Sequence, residues 1–490
     1  MKLESVDKHL KEKLKDPYFK ELYELEEQKL GIVKHVIDYR IKHDLNQKAL
    51  ADRIGVTQQH ISKIESGAVV TARITDTATV WTSGAVEVSA TGANAAYAEA
   101  LGRSEGFINA AVLLAEATID GAVWADLSGA VSGAGDVTVA ASGSNAVSSV
   151  TEAAALGALA GSFSGSLATI SNLANVEATA VGGGTLTMDG ALTLGAAGAN
   201  SATASSDAGT SEGLFGFSGS GIGARIQGGV RAELARDVSG ATDVTVQASG
   251  SNAALATAQA ISRSNIVAGS GAFAEAEVGT AADVVARVAA GVELDASGAL
   301  LVRAQGANSA VASAEGGVNS LIAVAAMLPT ATIHGAVLAE FGATMTGQAA
   351  SLAVKAEGSN SAAAITEVQS ISVVGGAGAV ALANIASGAD VIAQVLGAAT
   401  VWTSGLVAVE ASGANSAQAT ALGESGGTIV TAAVMISDAS VEGAVLANFA
   451  GDATMAGAVT VSAVGSNTAL TVTEAEGMAA FAASLGAVKF

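Results

Sequence analysis

The sequence contains no cysteine, only two prolines, and 3% aromatic residues. Without cysteine there can be no disulfide staples and no thiolate metal sites. So few large rings exclude a bulky, ring-filled core. Histidine is scarce too: His334 is the only one after His60. Most of the chain therefore cannot assemble a Ser-His-Asp triad or a three-histidine zinc site. No glycine-rich stretch runs into Lys-Ser or Lys-Thr, as a phosphate loop would require. The expectation is a protein that is not an enzyme, with no catalytic site, no metal and no cofactor. No run of about 18 bulky apolar residues is present to form a membrane-crossing helix. The N-terminus, MKLESVDKHLKEKLKD, is charged and has no apolar segment. It does not read as a secretory signal, so the expected location is cytoplasmic as encoded.

What the chain does have is unevenly divided. Residues 1–67 carry 13 Lys+Arg against 12 Asp+Glu, whereas residues 68–490 carry 10 against 33, net charges of +1 and −23. Such asymmetry marks two modules with different partners. The acidic part would repel nucleic acid and favour solubility. Its composition is dominated by alanine, glycine, serine, threonine and valine, which predicts thin, regular layers.

In the first module, Leu30, Val33, Ile37 and Ile41 recur at helical spacing and fall on one face. The segment LNQKALADRIGVTQQHISKIESG, residues 45–67, then reads as two short helices. Leu50, Ala51 and Ile54 form the apolar side of the first. Gly55 makes the turn, Thr57 caps the second helix, and Ile61 and Ile64 form its buried side. Two short helices joined by such a turn make a helix-turn-helix. Its second helix presents Gln58, Gln59 and His60 first, where base edges of the major groove are read. A glutamine suits adenine. Ser62 and Lys63 lie one turn further on and suit base or phosphate contacts, and Gln47 suits a phosphate. DNA, bound through residues 45–65, is the expected partner.

This segment resembles the Cro/cI-repressor (XRE) family, and within it antitoxins of the HigA type. Those often share a lead-in like Asp16-Pro17-Tyr18-Phe19-Lys20 through Tyr23 and Glu26. The resemblance implies operator binding as a dimer, with Gln47, Gln58, Gln59 and Ser62 as DNA contacts. It also implies two further helices after the equivalent of SKIESG. Here the chain passes instead into AVVTARITDTATVWTSG, a strand pattern, so residues 1–67 are expected to form a truncated domain.

From residue 68 to 490 one motif recurs, as in VTVQASGSNAALA and LLVRAQGANSAVA. Its asparagines are Asn94, Asn145, Asn200, Asn252, Asn308, Asn360, Asn415 and Asn467, separated by 51 to 56 residues. Copies alternate between Gly-Ala-Asn and Gly-Ser-Asn, so the full period is a pair of units of about 107 residues. A fixed period predicts a repeat architecture. Within a unit, Val244, Val246, Ala248, Gly250, Asn252 and Ala254 alternate with other residues, which is a strand period. Two more alternating stretches follow in each unit, and no helix is expected. The fold class is therefore mainly β: a parallel β-helix, or β-solenoid, preceded by a small all-α domain. Each unit is either one large coil or two small ones, rising about 40 Å or about 80 Å in total. The asparagines share parity with the inward valines and predict a stacked ladder inside the solenoid. Trp81 and Trp402 occupy equivalent positions and read as packing residues. The singly scattered acids read as a solvated face.

These repeats resemble the passenger regions of large bacterial filamentous adhesins of leukotoxin and haemagglutinin type. The resemblance implies a secreted or cell-surface stalk with a structural or adhesive role and protein or cell-surface partners. Ile64–Ala68 matches Ile385–Ala389 at four of five positions, and the repeat register continues correctly from Ala68. This reads as a splice, by recombination or by misassembly of the sequence, which would make the solenoid a fragment of something longer. Open solenoid ends carry unpaired strand edges, so end-to-end self-association is a further expectation.

Overall fold

Alternating small apolar residues with so little proline leave the chain one economical arrangement, in which each strand hydrogen-bonds to its own copy in the next repeat. The computed structural model describes residues 69–182 and 184–489, which fall within one unit, Val69–Phe490. Everything read from residues 1–67, including Gln47, Gln58, Gln59, His60, Ser62 and Lys63, lies outside the described residues. The unit is a parallel β-solenoid. Among the described residues there is no helix, and hence none long and apolar enough to cross a membrane.

One coil serves as the pattern for all. Val230–Ala235 forms the first wall, Val238–Ala241 the second, and Val244–Val278 a long third wall that folds back on itself. Strands equivalent to these recur in every coil, and each wall pairs only with its copies in parallel. Coils begin at Val70, Val123, Val176, Val230, Val284, Val337, Val391 and Val445. Asn200 pairs directly with Asn252, and Asn252 with Asn308. This decides between the two coil counts left open by the sequence: one 51-to-56-residue unit is one coil. Eight coils stacked at about 4.8 Å give a height of about 38 Å.

The core has two parts. The two short walls and the start of the long one enclose a conventional apolar core, with Val284, Val288, Leu294, Val302 and Phe341 fully or almost fully buried. The rest of the long wall makes a thin blade. Its forward arm (residues 252–262 in the pattern coil) faces its return arm (residues 267–278) across alanines such as Ala254, Ala256, Ala272 and Ala274. Alanine is needed here because two sheet layers with larger inward residues would stand further apart. The blade's far end is lined by buried hydroxyls, among them Ser206, Ser220 and Ser262.

The expectation for the two tryptophans fails for one of them. Trp402 packs in part against the main core, but Trp81 is 81% exposed. Its strand, Thr79–Trp81, has three residues with only the middle one turned inward, so Trp81 has outward parity.

Candidate functional site

The long wall and the first wall meet where the blade joins the body, and the repeated Gly-[Ala/Ser]-Asn lies there. The inward alternation runs unbroken through Val244, Val246, Ala248, Gly250, Asn252 and Ala254. The asparagine is therefore buried between the two core regions. All eight asparagines stack in one column. Each Nδ2 from Asn94 to Asn415 donates to the Oδ1 of the next asparagine at 2.8–3.0 Å. The other Nδ2 hydrogen goes to a backbone carbonyl just past the return arm, at 3.0–3.2 Å: for example Asn200 to Gly228 O and Asn308 to Gly335 O. Asn94 through Asn415 are all buried, and Asn467 is exposed. A burial cost that would be severe for an unpartnered amide is thus offset on both N–H groups and on the oxygen. The side chain also pins the end of the blade to the body.

The glycine two residues earlier has a steric reason that no reading of one unit could supply. A Cβ on Gly92, Gly143, Gly198, Gly250, Gly306, Gly358 or Gly413 would lie closer than 3.0 Å to Cγ2 of the first-wall valine, such as Val284 for Gly250. The valine fills the space that a side chain would take.

The acids are less uniform than a solvated face. Asp136 accepts the backbone N–H of Ala191 and Asp243 that of Ala299, at 2.9 and 2.7 Å. At another corner Asn175, Asp283 and Asp390 accept from Gly229, Ala336 and Ala444 at 2.7–2.9 Å. These side chains cap the adjacent coil, and in each column they occur in alternate coils. At these corners the alternation avoids a repulsion of roughly 3 kcal/mol between carboxylates in consecutive coils, at an effective dielectric near 20. Burial pushes the Asp283 carboxyl above its usual range, opposed by the Ala336 N–H and by Arg231. Other charges pair across coils, as Arg287 with Glu340 and Lys355 with Glu410, both at 2.8 Å. Arg236 is buried and donates to Leu127 O, Gly129 O and Gly184 O in the two preceding coils. Burial lowers its pKa.

Among the described residues, no group of three or more His, Asp or Glu could hold a metal ion. The asparagine column offers amide groups already used by one another. Its chemistry is that of a structural seam.

A helix-turn-helix family model matches residues 36–75. The match covers the segment that carries Gln47, Gln58, Gln59, His60, Ser62 and Lys63. It also runs past the helix-turn-helix into the solenoid: Val70–Ile74 is the first solenoid strand, paired with Val123–Leu127. No curated protein and no solved structure matches the chain.

Proposed function

We propose that the chain is a non-catalytic scaffold that carries a DNA-reading segment. Residues 45–65 bind a specific DNA site, and the acidic solenoid is a structural body attached to that segment. The family match over residues 36–75 carries this reading. In it, Gln58, Gln59 and His60 meet base edges, while Gln47, Ser62 and Lys63 hold phosphates or bases. The solenoid's net charge of −23 repels phosphate, so attraction must come from the N-terminal segment alone. The test is fluorescence anisotropy of the full chain against DNA from upstream of its own gene, across a range of salt concentrations. Binding should weaken as salt rises and should be lost in a Gln58→Ala, Gln59→Ala double variant. Absent or salt-insensitive binding would refute the reading.

A second reading is favoured by the solenoid itself, whose eight coils keep the asparagine column in one register, with shifts in the long wall near the far end of the blade. In that reading the chain is a segment of a filamentous structural or adhesive protein. The helix-turn-helix then reached it by recombination. Sequencing long, intact DNA across the junction separates the two: solenoid-coding sequence continuing upstream supports the second reading, and an intact upstream promoter with operator binding supports the first.

A further inference from the structure

The outer surface of the return arm differs from every other outward face of the solenoid. Four outward positions on each arm are in register through all eight coils. The first column runs from Ile108 through Phe215 and Ile322 to Phe481. The next three columns begin at Ala110, Val112 and Leu114. All these positions hold glycine, alanine or a bulky apolar residue; none is polar or charged, and none is buried. The forward arm's outer face, by contrast, carries Glu152, Asp207, Glu315 and Glu367 in a single column. Two adjacent rows bearing charges, Glu275 in the first and Arg225 and Glu277 in the second, bound the apolar face on the side nearer the body.

A sheet surface facing water normally alternates with polar residues, and a continuous apolar one marks a contact surface. Seven residues of strand span about 23 Å and eight coils about 38 Å, so the face covers roughly 900 Å². The largest apolar patch on an ordinary monomer is about 300–600 Å². A stable interface needs about 800 Å² from each partner, which this face supplies unaided.

We propose that the apolar face of the return arm packs against the same face of a second copy of this chain, making a lateral, two-fold dimer. Three features fit that occupant. The face is uncharged, so two chains of net charge −22 meet where they do not repel. It offers protruding rings, Phe163 and Phe217, which lean over Gly219 and Gly269, beside open space at Gly221; paired sheets interdigitate ridges and hollows about 10 Å apart. A self-complementary patch closes at two copies. An anionic lipid surface fits poorly, because the chain that would approach it is itself strongly acidic. The inference does not depend on DNA binding, and it concerns the side of the solenoid rather than its ends.

The test is light scattering of the full chain over a wide dilution range, with three variants. The unaltered chain should give twice the 47.4 kDa of one copy. Val112 and Val324 are 64% and 60% exposed on the face. A Val112→Lys, Val324→Lys variant should therefore run as a single copy with unchanged far-UV circular dichroism. Gln418→Lys, on the forward arm, should leave the dimer intact. Should the lysines impair folding, a Val112→Ser, Val324→Ser pair should still raise the dimer dissociation constant about tenfold or more. A single-copy mass for the unaltered chain would overturn the proposal, as would a dimer indifferent to both face variants. So would a chain that stays single and floats with neutral phosphatidylcholine vesicles.

Discussion

Asn252→Ala tests the seam where blade and body join. Asn252 takes part in three side-chain hydrogen bonds: it donates to Asn308 Oδ1 at 2.9 Å and to Ala282 O at 3.2 Å, and accepts from Asn200 Nδ2 at 2.9 Å. Each is worth about 1 kcal/mol net. Truncation also strands groups that have no water to turn to. Asn308 Oδ1 loses its donor, and one N–H of Asn200 loses its acceptor while the other still reaches Gly228 O. An orphaned buried polar group costs about 1–3 kcal/mol. The expected loss is therefore about 3–5 kcal/mol, read from urea denaturation followed by far-UV circular dichroism. Because a coil packs chiefly against its two neighbours, hydrogen exchange should accelerate chiefly around Ala254–Ala260 and its stacked copies. Asn467 is exposed and accepts one bond, from Asn415 at 3.0 Å, so Asn467→Ala should cost about 1 kcal/mol. The double variant at Asn252 and Asn308 should lose less than the sum of the singles by about 1 kcal/mol or more, since their shared bond is removed once. A loss below about 1 kcal/mol for Asn252→Ala, or strict additivity in the double variant, would refute the reasoning.

Three further substitutions probe the packing and the charges. Gly250→Ala forces a methyl group into Val284 and should cost about 1–3 kcal/mol; an unchanged urea midpoint would show that the valine yields freely. Arg236→Met leaves the carbonyls of Leu127, Gly129 and Gly184 without their donor. It should cost about 1–3 kcal/mol, and a melting temperature equal to that of the parent would contradict the bridging role. Asp207 is the pH-dependent case. Burial, and next the Glu152 charge, push its carboxyl above the usual range. The folded state then holds this proton more tightly than the unfolded chain does. The ionised carboxylate costs stability above the folded pKa, and that cost disappears as pH falls through it. Asp207→Asn should raise the melting temperature at neutral pH and leave it unchanged in acid; the same shift at both pH values would count against this.

The solenoid was legible in the sequence because its two signals are local or periodic. Alternation at Val244, Val246 and Ala248 identifies a strand with one inward face, and the recurring asparagine gives the repeat. Inward parity at Asn252 was readable for the same reason. The fold-back of the long wall was not. Ala254 and Ala274 have the same parity and composition, and nothing in one arm says that it faces the other. The glycine before seven of the eight asparagines is explained only by a valine more than thirty residues further along, as Val284 explains Gly250. The corner acids look solvated until the next coil supplies its N–H, as Ala299 does for Asp243. The apolar face was hidden for a similar reason: within one coil Phe215 and Phe217 are two scattered residues, and only stacking in register makes them part of a surface. The segment that holds Gln58 and Gln59 reads as a helix-turn-helix from its spacing, and the family match covers that segment.

The claim on which the rest depends is that one repeat unit is one coil. Introduced cysteines test it directly, because the chain has none of its own. Ser313 and Ile365 are register partners in adjacent coils on the outer face of the forward arm, and Ile365 pairs in turn with Thr420. Stacked neighbours about 4.8 Å apart lie within disulfide reach, and partners two layers apart, about 10 Å, lie outside it. Mild oxidation of a Ser313→Cys, Ile365→Cys variant should give an intramolecular disulfide in nearly every molecule, detected by intact mass and peptide mapping. The Ser313→Cys, Thr420→Cys variant should keep both thiols free. Two free thiols in the first variant, under conditions where the protein is folded, would contradict the one-coil unit and the asparagine seam built on it.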